Sequence, residues 1–334
     1  MLMRALPQFL AAFLLGFSPI SSLAASPVPQ AKMITAEPGV QLEVLDWGGS
    51  GPPLVFLAGF GGTAHTFDGF AQKFTDRHHV YSITRRGFGA SSRPAPTENA
   101  YSPERLAADI IAVIDQLKLQ HPFIAGHSVA GQELSEIGTR YSDKVAGLIY
   151  LDAANSQAFY SVNSDVLYPV AGEVRRDLEK LIGAQPSEAR ALILKLKAEI
   201  PRLERGLQWY AAAVADEPDR PASDQNSPEK AVQTAVVRGA RIFGPVNVPV
   251  LSIVALPAKC DPECNTDAEK ARQREDSAQA ADFQAANRQA TVVRIPFADH
   301  FLWLSNGPEV EREMKRFMDR LASSKSSSLR NAGS

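Results

Sequence analysis

The run Phe123-Ile124-Ala125-Gly126-His127-Ser128-Val129-Ala130-Gly131 places a serine between small residues at the end of an apolar stretch. Small neighbours let a strand turn sharply into a helix and hold the hydroxyl in the open, in a strained conformation. A serine hydroxyl is a poor nucleophile until a base takes its proton. Histidine is the usual base because its pKa lies near neutrality. Of the six histidines, His300 has the right setting, in a loop after an apolar run and before the final helix. His127 adjoins the serine, but neighbours on a sharp turn point apart, so it reads as structural. His65 could line a pocket entrance. His78, His79 and His121 have no comparable context.

A carboxylate must orient the base and stabilise its charged form. Asp152 and Asp261 both preserve the order serine, acid, histidine. Asp152 closes the apolar run Val145–Leu151, whereas Asp261 lies several residues past the next core strand, inside Cys260-Asp261-Pro262-Glu263-Cys264. A strand end fixes geometry, which favours Asp152, although a disulfide could position Asp261. Asp299, beside His300, should point away from its neighbour. Acyl transfer also needs donors for a developing oxyanion. Gly59-Phe60-Gly61-Gly62 follows the strand ending at Ala58, and the amides of Phe60 and Val129 are the candidate donors.

The elements that must carry these residues alternate. Val40–Asp46 alternates apolar and polar, as a half-buried strand does. Leu54–Ala58, Val80–Ile83, Pro122–Ala125, Val145–Leu151, Val248–Val254 and Thr291–Ile295 are apolar enough for buried strands. Pro103–Leu119, Val129–Tyr141 and the segment from Pro308 read as helices on apolar spacing and helix-start signals. Strand–helix alternation implies a mostly parallel sheet flanked by helices, an α/β fold with sites beyond the carboxyl ends of its strands. Residues 153–245 break the alternation and read as an inserted helical lid, with a helix over Ser187–Ile200 and a loop over Asp216–Pro228. Trp209 and Tyr210 could line a pocket there or pack the lid's own core. The core is then 25–152 plus 246–322. Ala25–Lys32 reads as a flexible lead-in, and the Ser-rich tail 323–334 as disordered.

At 334 residues, 45% hydrophobic and 22% charged, with net charge −2, the composition is that of a globular protein. It gives no reason to propose nucleic acid or an acidic membrane as partner. Residues 1–24 have a positive start, a short apolar stretch and small residues ending at Ala24, which reads as a cleaved export signal. No later segment is long and apolar enough to span a membrane. In an exported, hence secreted or periplasmic, protein the pair Cys260 and Cys264 reads as a disulfide. Two thiolates without a nearby histidine fall short of a metal site.

Together these motifs resemble the α/β-hydrolase superfamily, over Gln41–Asp152 and Val246–Leu321. Arg85-Arg86-Gly87-Phe88-Gly89-Ala90-Ser91 looks like the superfamily's mainly structural Arg-Gly-x-Gly-x-Ser loop. Two departures stand out. Ala58 replaces a common histidine before the oxyanion glycine. The Gly-x-x-Asp loop that usually supplies the acid is missing after Val254, which again favours Asp152, a placement some members use. The resemblance implies an α/β-hydrolase fold, no metal or organic cofactor, and a small-molecule acyl substrate. Epoxide hydrolases and dehalogenases of the superfamily generally use an aspartate nucleophile, so Ser128 argues against both. The leading expectation is ester hydrolysis, with a ligand-binding protein on the same fold or an acyltransferase as alternatives.

Overall fold

The computed structural model describes residues 28–154, 158–159, 167–215, 227–260 and 265–332. The expected export signal, Asp261 and Cys264, and with them the Cys260–Cys264 bridge, lie outside the described residues, as does most of the loop expected over Asp216–Pro228.

Eight strands form one sheet: β1 (Gln30–Glu37), β2 (Val40–Gly48), β3 (Pro53–Leu57), β4 (His79–Ile83), β5 (Phe123–His127), β6 (Gly147–Leu151), β7 (Val250–Ala255) and β8 (Ala290–Ile295). Their order across the sheet is β1-β2-β4-β3-β5-β6-β7-β8. The pairs β1–β2 and β2–β4 are antiparallel, and every other pair is parallel. The helices are α1 (Asp68–Ala71), α2 (Pro103–Gln116), α3 (Gly131–Arg140), α4 (Leu167–Leu181), α5 (Pro186–Ala213), α6 (Pro228–Gly239), α7 (Asp267–Ala286), α8 (Leu302–Ser305) and α9 (Gly307–Ala332).

The continuous apolar runs of the central strands are explained by cover on both faces. Val55, Leu57, Ile124, Leu148 and Tyr150 pack on one side with α2, α3 and Phe283 of α7. Their neighbours Leu54, Phe56, Phe123, Ala125, Ile149 and Leu151 pack on the other with α1, α8 and α9. Phe56 sits there among Phe67, Phe70 and Phe74, at ring separations of 4.9, 6.0 and 5.7 Å.

Two expectations need correction. The lead-in expected to Lys32 is already strand β1 from Gln30, held in antiparallel register with Gln30 opposite Asp46. Lys32 reaches that same Asp46 at 2.8 Å. An edge strand with one exposed face lacks the apolar density of a buried one. The tail expected to be irregular from Ser323 instead continues α9 to Ala332. No Pro or Gly interrupts the chain between Pro308 and Gly333. The stretch between β6 and β7 contains α4, α5 and α6, with α5 longer than expected at both ends. Helix α7 stands between β7 and β8 without apolar periodicity in its sequence.

Candidate active site

Strand β5 ends at His127, and Ser128–Ala130 form a 3-10 turn leading straight into α3. Ser128 has φ 54°, the left-handed backbone that such a turn demands. Small residues make the turn possible. A Cβ at Gly131 would lie 2.1 Å from the Ala153 carbonyl oxygen, so no side chain fits there. At Gly59 a Cβ would lie 2.6 Å from His127 Nδ1 and 3.2 Å from Ser128 Cβ. The glycine loop after β3 therefore lies directly against the serine turn, with Phe60 as its next residue.

Asp152 is the first residue past β6 and also takes left-handed backbone, at φ 46°. Its amide donates to the Ile253 carbonyl at 2.8 Å, and its Oδ1 accepts from the Ala255 amide at 3.1 Å. Strand β7 thus fixes the carboxylate from both sides. Its Oδ2 accepts from His300 Nδ1 at 2.7 Å. Donation from Nδ1 leaves the lone pair on Nε2, the form a general base requires. The loop bearing His300 is tied to the loop after β7: Phe297 N donates to Pro257 O at 2.7 Å, and Lys259 N to Ala298 O at 3.0 Å. The His300 side chain is 48% exposed and Asp152 23%, so the pair opens to solvent.

His127 is more than a neighbour of the serine. Its Nε2 donates to the His300 backbone carbonyl at 3.1 Å, and the two rings lie 4.4 Å apart. Phe301 and Trp303 complete its surroundings, at ring separations of 5.0 and 4.7 Å. Burial, with His300 adding to it, pushes its pKa down to about 4, so the ring is neutral at pH 7. Its Nδ1 is buried with no hydrogen-bond partner.

Arg85 joins the glycine loop to the helix after the serine. Its Nε donates to Glu133 Oε1 of α3 at 2.5 Å, while its terminal nitrogens donate to the carbonyls of Ala58 at 3.0 Å and Gly59 at 3.3 Å. The next residue, Arg86, faces elsewhere and pairs with Asp109 and Glu37.

The remaining candidates fall apart from this cluster. His65 pairs with Asp68 at 3.2 Å, His78 Nδ1 donates to the Pro52 carbonyl at 2.9 Å, and His79 pairs with Asp46 at 2.7 Å. Asp299 faces Lys259 at 3.5 Å rather than His300.

Behind Asp152 and His300 lies a cavity of about 230 Å³, which Arg272, Asp276 and Gln279 of α7 also line. Arg272 and Asp276 pair at 2.8 Å. Burial raises the Asp276 pKa, with Arg272 opposing and Asp152 reinforcing the rise. A Thr-x-x-Glu capping signature, Thr266 to Glu269, marks the start of α7 in the sequence, and the Thr266 side chain accepts from the Glu269 amide at 3.2 Å. A second cavity, of about 500 Å³, opens between Phe60, α4 and α6.

Comparison with known proteins agrees with this architecture. Epoxide hydrolase A of Mycobacterium tuberculosis is 32% identical over 115 residues, 34% of this chain and 35% of that protein. Fluoroacetate dehalogenase of a Burkholderia species is 31% identical over 107 residues, 31% of this chain and 35% of that protein. The chain thus spans about a third of the length of these curated relatives. Among solved structures, an epoxide hydrolase from metagenomes of hot environments superposes with a TM-score of 0.56 at 20% identity, covering 86% of this chain and 98% of that one. That likeness concerns the fold. The family model described as the alpha/beta hydrolase family matches residues 54–313, most of the chain, and the protein belongs to that family.

Proposed function

We propose that this protein is an exported serine hydrolase that cleaves a carboxylic ester or related acyl bond. The observation carrying this reading is the 2.7 Å pairing of His300 Nδ1 with Asp152 Oδ2 beside a serine in left-handed backbone at a strand–helix turn. In the proposed reaction His300 Nε2 takes the Ser128 Oγ proton as the oxygen attacks the acyl carbon. The amides of Phe60 and Val129 hold the resulting oxyanion. His300 returns the proton to the departing alkoxide, leaving an acyl-serine. A water molecule, deprotonated by the same base, then releases the acid. Asp152 keeps the imidazole in the needed tautomer and stabilises its charged form.

Helices α4, α5 and α6 act in this reading as a lid. An exported location also accounts for the cysteines as a Cys260–Cys264 bridge. A serine at the turn favours acyl chemistry over the reactions named for the epoxide hydrolase and dehalogenase relatives.

The test is covalent. A fluorophosphonate probe should label wild-type protein at Ser128, and Ser128→Ala should abolish both labelling and turnover of short p-nitrophenyl esters. Absent labelling of folded wild-type protein, together with no ester turnover, would overturn the reading.

A further inference from the structure

The cavity of about 500 Å³ beside Phe60 has a composition that the acyl-transfer reading leaves unexplained. Two helix faces build it. On α4, Tyr168, Ala171, Gly172 and Arg175 recur at the spacing of one helical face. On α6, Lys230, Gln233, Thr234, Val237 and Arg238 do the same. The opposite face of α6, with Val232, Ala235 and Val236, packs on Phe88, Tyr101, Leu106 and Val129. Residue Val129 follows the serine and Phe60 follows Gly59, so both ends of the cavity's support are contiguous with the candidate oxyanion site.

The lining holds three cations and no carboxylate. Arg175 is already committed to Glu98 and Glu179. Lys230 and Arg238 have no ion-pair partner among the described residues. Glu229, the acid next to Lys230 in sequence, turns instead to Arg93 at 2.8 Å. Unpaired cations in a concave site attract counter-charge, because its low-dielectric walls focus the field. Of the rest of the lining, Phe60, Ala171, Gly172 and Val237 are apolar or small, and Tyr168, Gln233 and Thr234 are uncharged polar groups. The volume lies in the range that accommodates a small organic ligand.

We infer that this cavity receives an acyl chain ending in an anionic group, with the apolar segment along Phe60 and Val237 and the charge between Lys230 and Arg238. This rests on the hydrolase reading for the reacting end, but not for the charge selection. The carboxylate form is the one to test.

The first measurement compares kcat/KM for two p-nitrophenyl esters of equal length, one of suberic acid with a free distal carboxylate and one with that carboxylate methylated. The free acid should be preferred about tenfold at low ionic strength, with the preference shrinking as salt rises. In Lys230→Glu/Arg238→Glu the preference should invert, and a matched ester with a distal ammonium group should become the better substrate. A gain of that kind cannot come from a misfolded variant. Equal rates for the two suberates in wild-type protein, with the neutral ester turned over, would sink the charge inference and leave the hydrolase reading standing. If neither ester is cleaved, the hydrolase reading fails, and calorimetric titration of suberate decides the inference separately. Binding to wild-type protein that Lys230→Glu/Arg238→Glu removes would support it, and no binding to wild-type protein would overturn it.

Discussion

The rim of the sheet and the insertion between β6 and β7 are built on different principles. At the rim, Ser128 and Asp152 directly follow the buried strands β5 and β6, the His300 loop follows the half-buried edge strand β8 within a few residues, and backbone hydrogen bonds from a neighbouring strand or loop hold Asp152 and the His300 loop. In the insertion, α4 and α5 share only a small apolar cluster around Val170, Val174 and Leu196. Several large apolar side chains there remain in solvent, among them Ile182 at 88% and Leu194 at 70% exposure. In the proposed reading, the reacting groups therefore sit where the backbone leaves little freedom, and the ligand-facing groups sit on helix faces that tolerate exchange. The same fold can keep its chemistry at the rim while its selectivity drifts in the insertion.

The largest expected effect tests whether the rim owns the chemistry. Asp152→Asn should lower kcat on a short ester by about ten-thousand-fold, the scale seen when a triad acid is lost, while Asp261→Asn should stay within about threefold. The reverse result would move the acid out of the rim. Next comes Arg85→Met, which leaves Glu133 buried without its partner. Loss of one member of a buried ion pair costs about 3–5 kcal/mol, measurable by urea unfolding, and kcat should fall about a hundredfold as the glycine loop loses its anchor. In Arg85→Met/Glu133→Leu much of the stability should return and the activity should not. If activity returned too, the clamp on the Ala58 and Gly59 carbonyls would be irrelevant to turnover.

A pH experiment sharpens the same contrast. The His127 pKa falls to about 4 in the folded protein, against an ordinary value of 6.5. Between those values the unfolded chain takes up a proton that the folded protein refuses. The stability held by neutral His127 is thus complete above pH 6.5 and is lost as pH falls toward 4. Between pH 7.5 and 4.5 wild-type protein should lose about 2–3 kcal/mol more than His127→Gln does, read from paired urea titrations. Equal losses would mean that His127 is not a fixed part of the rim. The smallest effect belongs to the insertion. Leu196→Ala should cost about 2 kcal/mol, the low end for a buried leucine, felt as faster hydrogen exchange in α4 and α5, with kcat on p-nitrophenyl acetate changed less than threefold. Faster exchange at β5 and β6 as well would show the two regions to be one cooperative unit.

Much of the parallel core is legible in the sequence because strands covered on both faces must be apolar at every position, as Leu54–Leu57 and Leu148–Leu151 are. Strand β1 carries no such mark, since it lies at the edge with Gln30, Ala31 and Met33 exposed. Helix α7 escapes apolar periodicity for a related reason: it is charged along most of its length, and only its Thr266–Glu269 cap announces it. At the site, residue type and chain order suffice to nominate Ser128, His300, Asp152 and the glycine loop. The bond from His127 to the His300 carbonyl spans 173 residues and ends on backbone, which no residue type reports. Arg85 is hidden in the same way, because two of its acceptors are carbonyls.

Ser128 and Asp152 are two of only five non-glycine residues with positive φ among the described residues. Each such position stores on the order of 1 kcal/mol, and glycine would relax it. Selection for heat resistance alone would therefore favour replacing the proposed nucleophile and its proposed acid, the two substitutions expected to damage turnover most. A laboratory lineage propagated on thermal survival without an activity screen should become sturdier and inert at these same two positions. Their persistence in a working lineage would register continuing demand for the reaction itself.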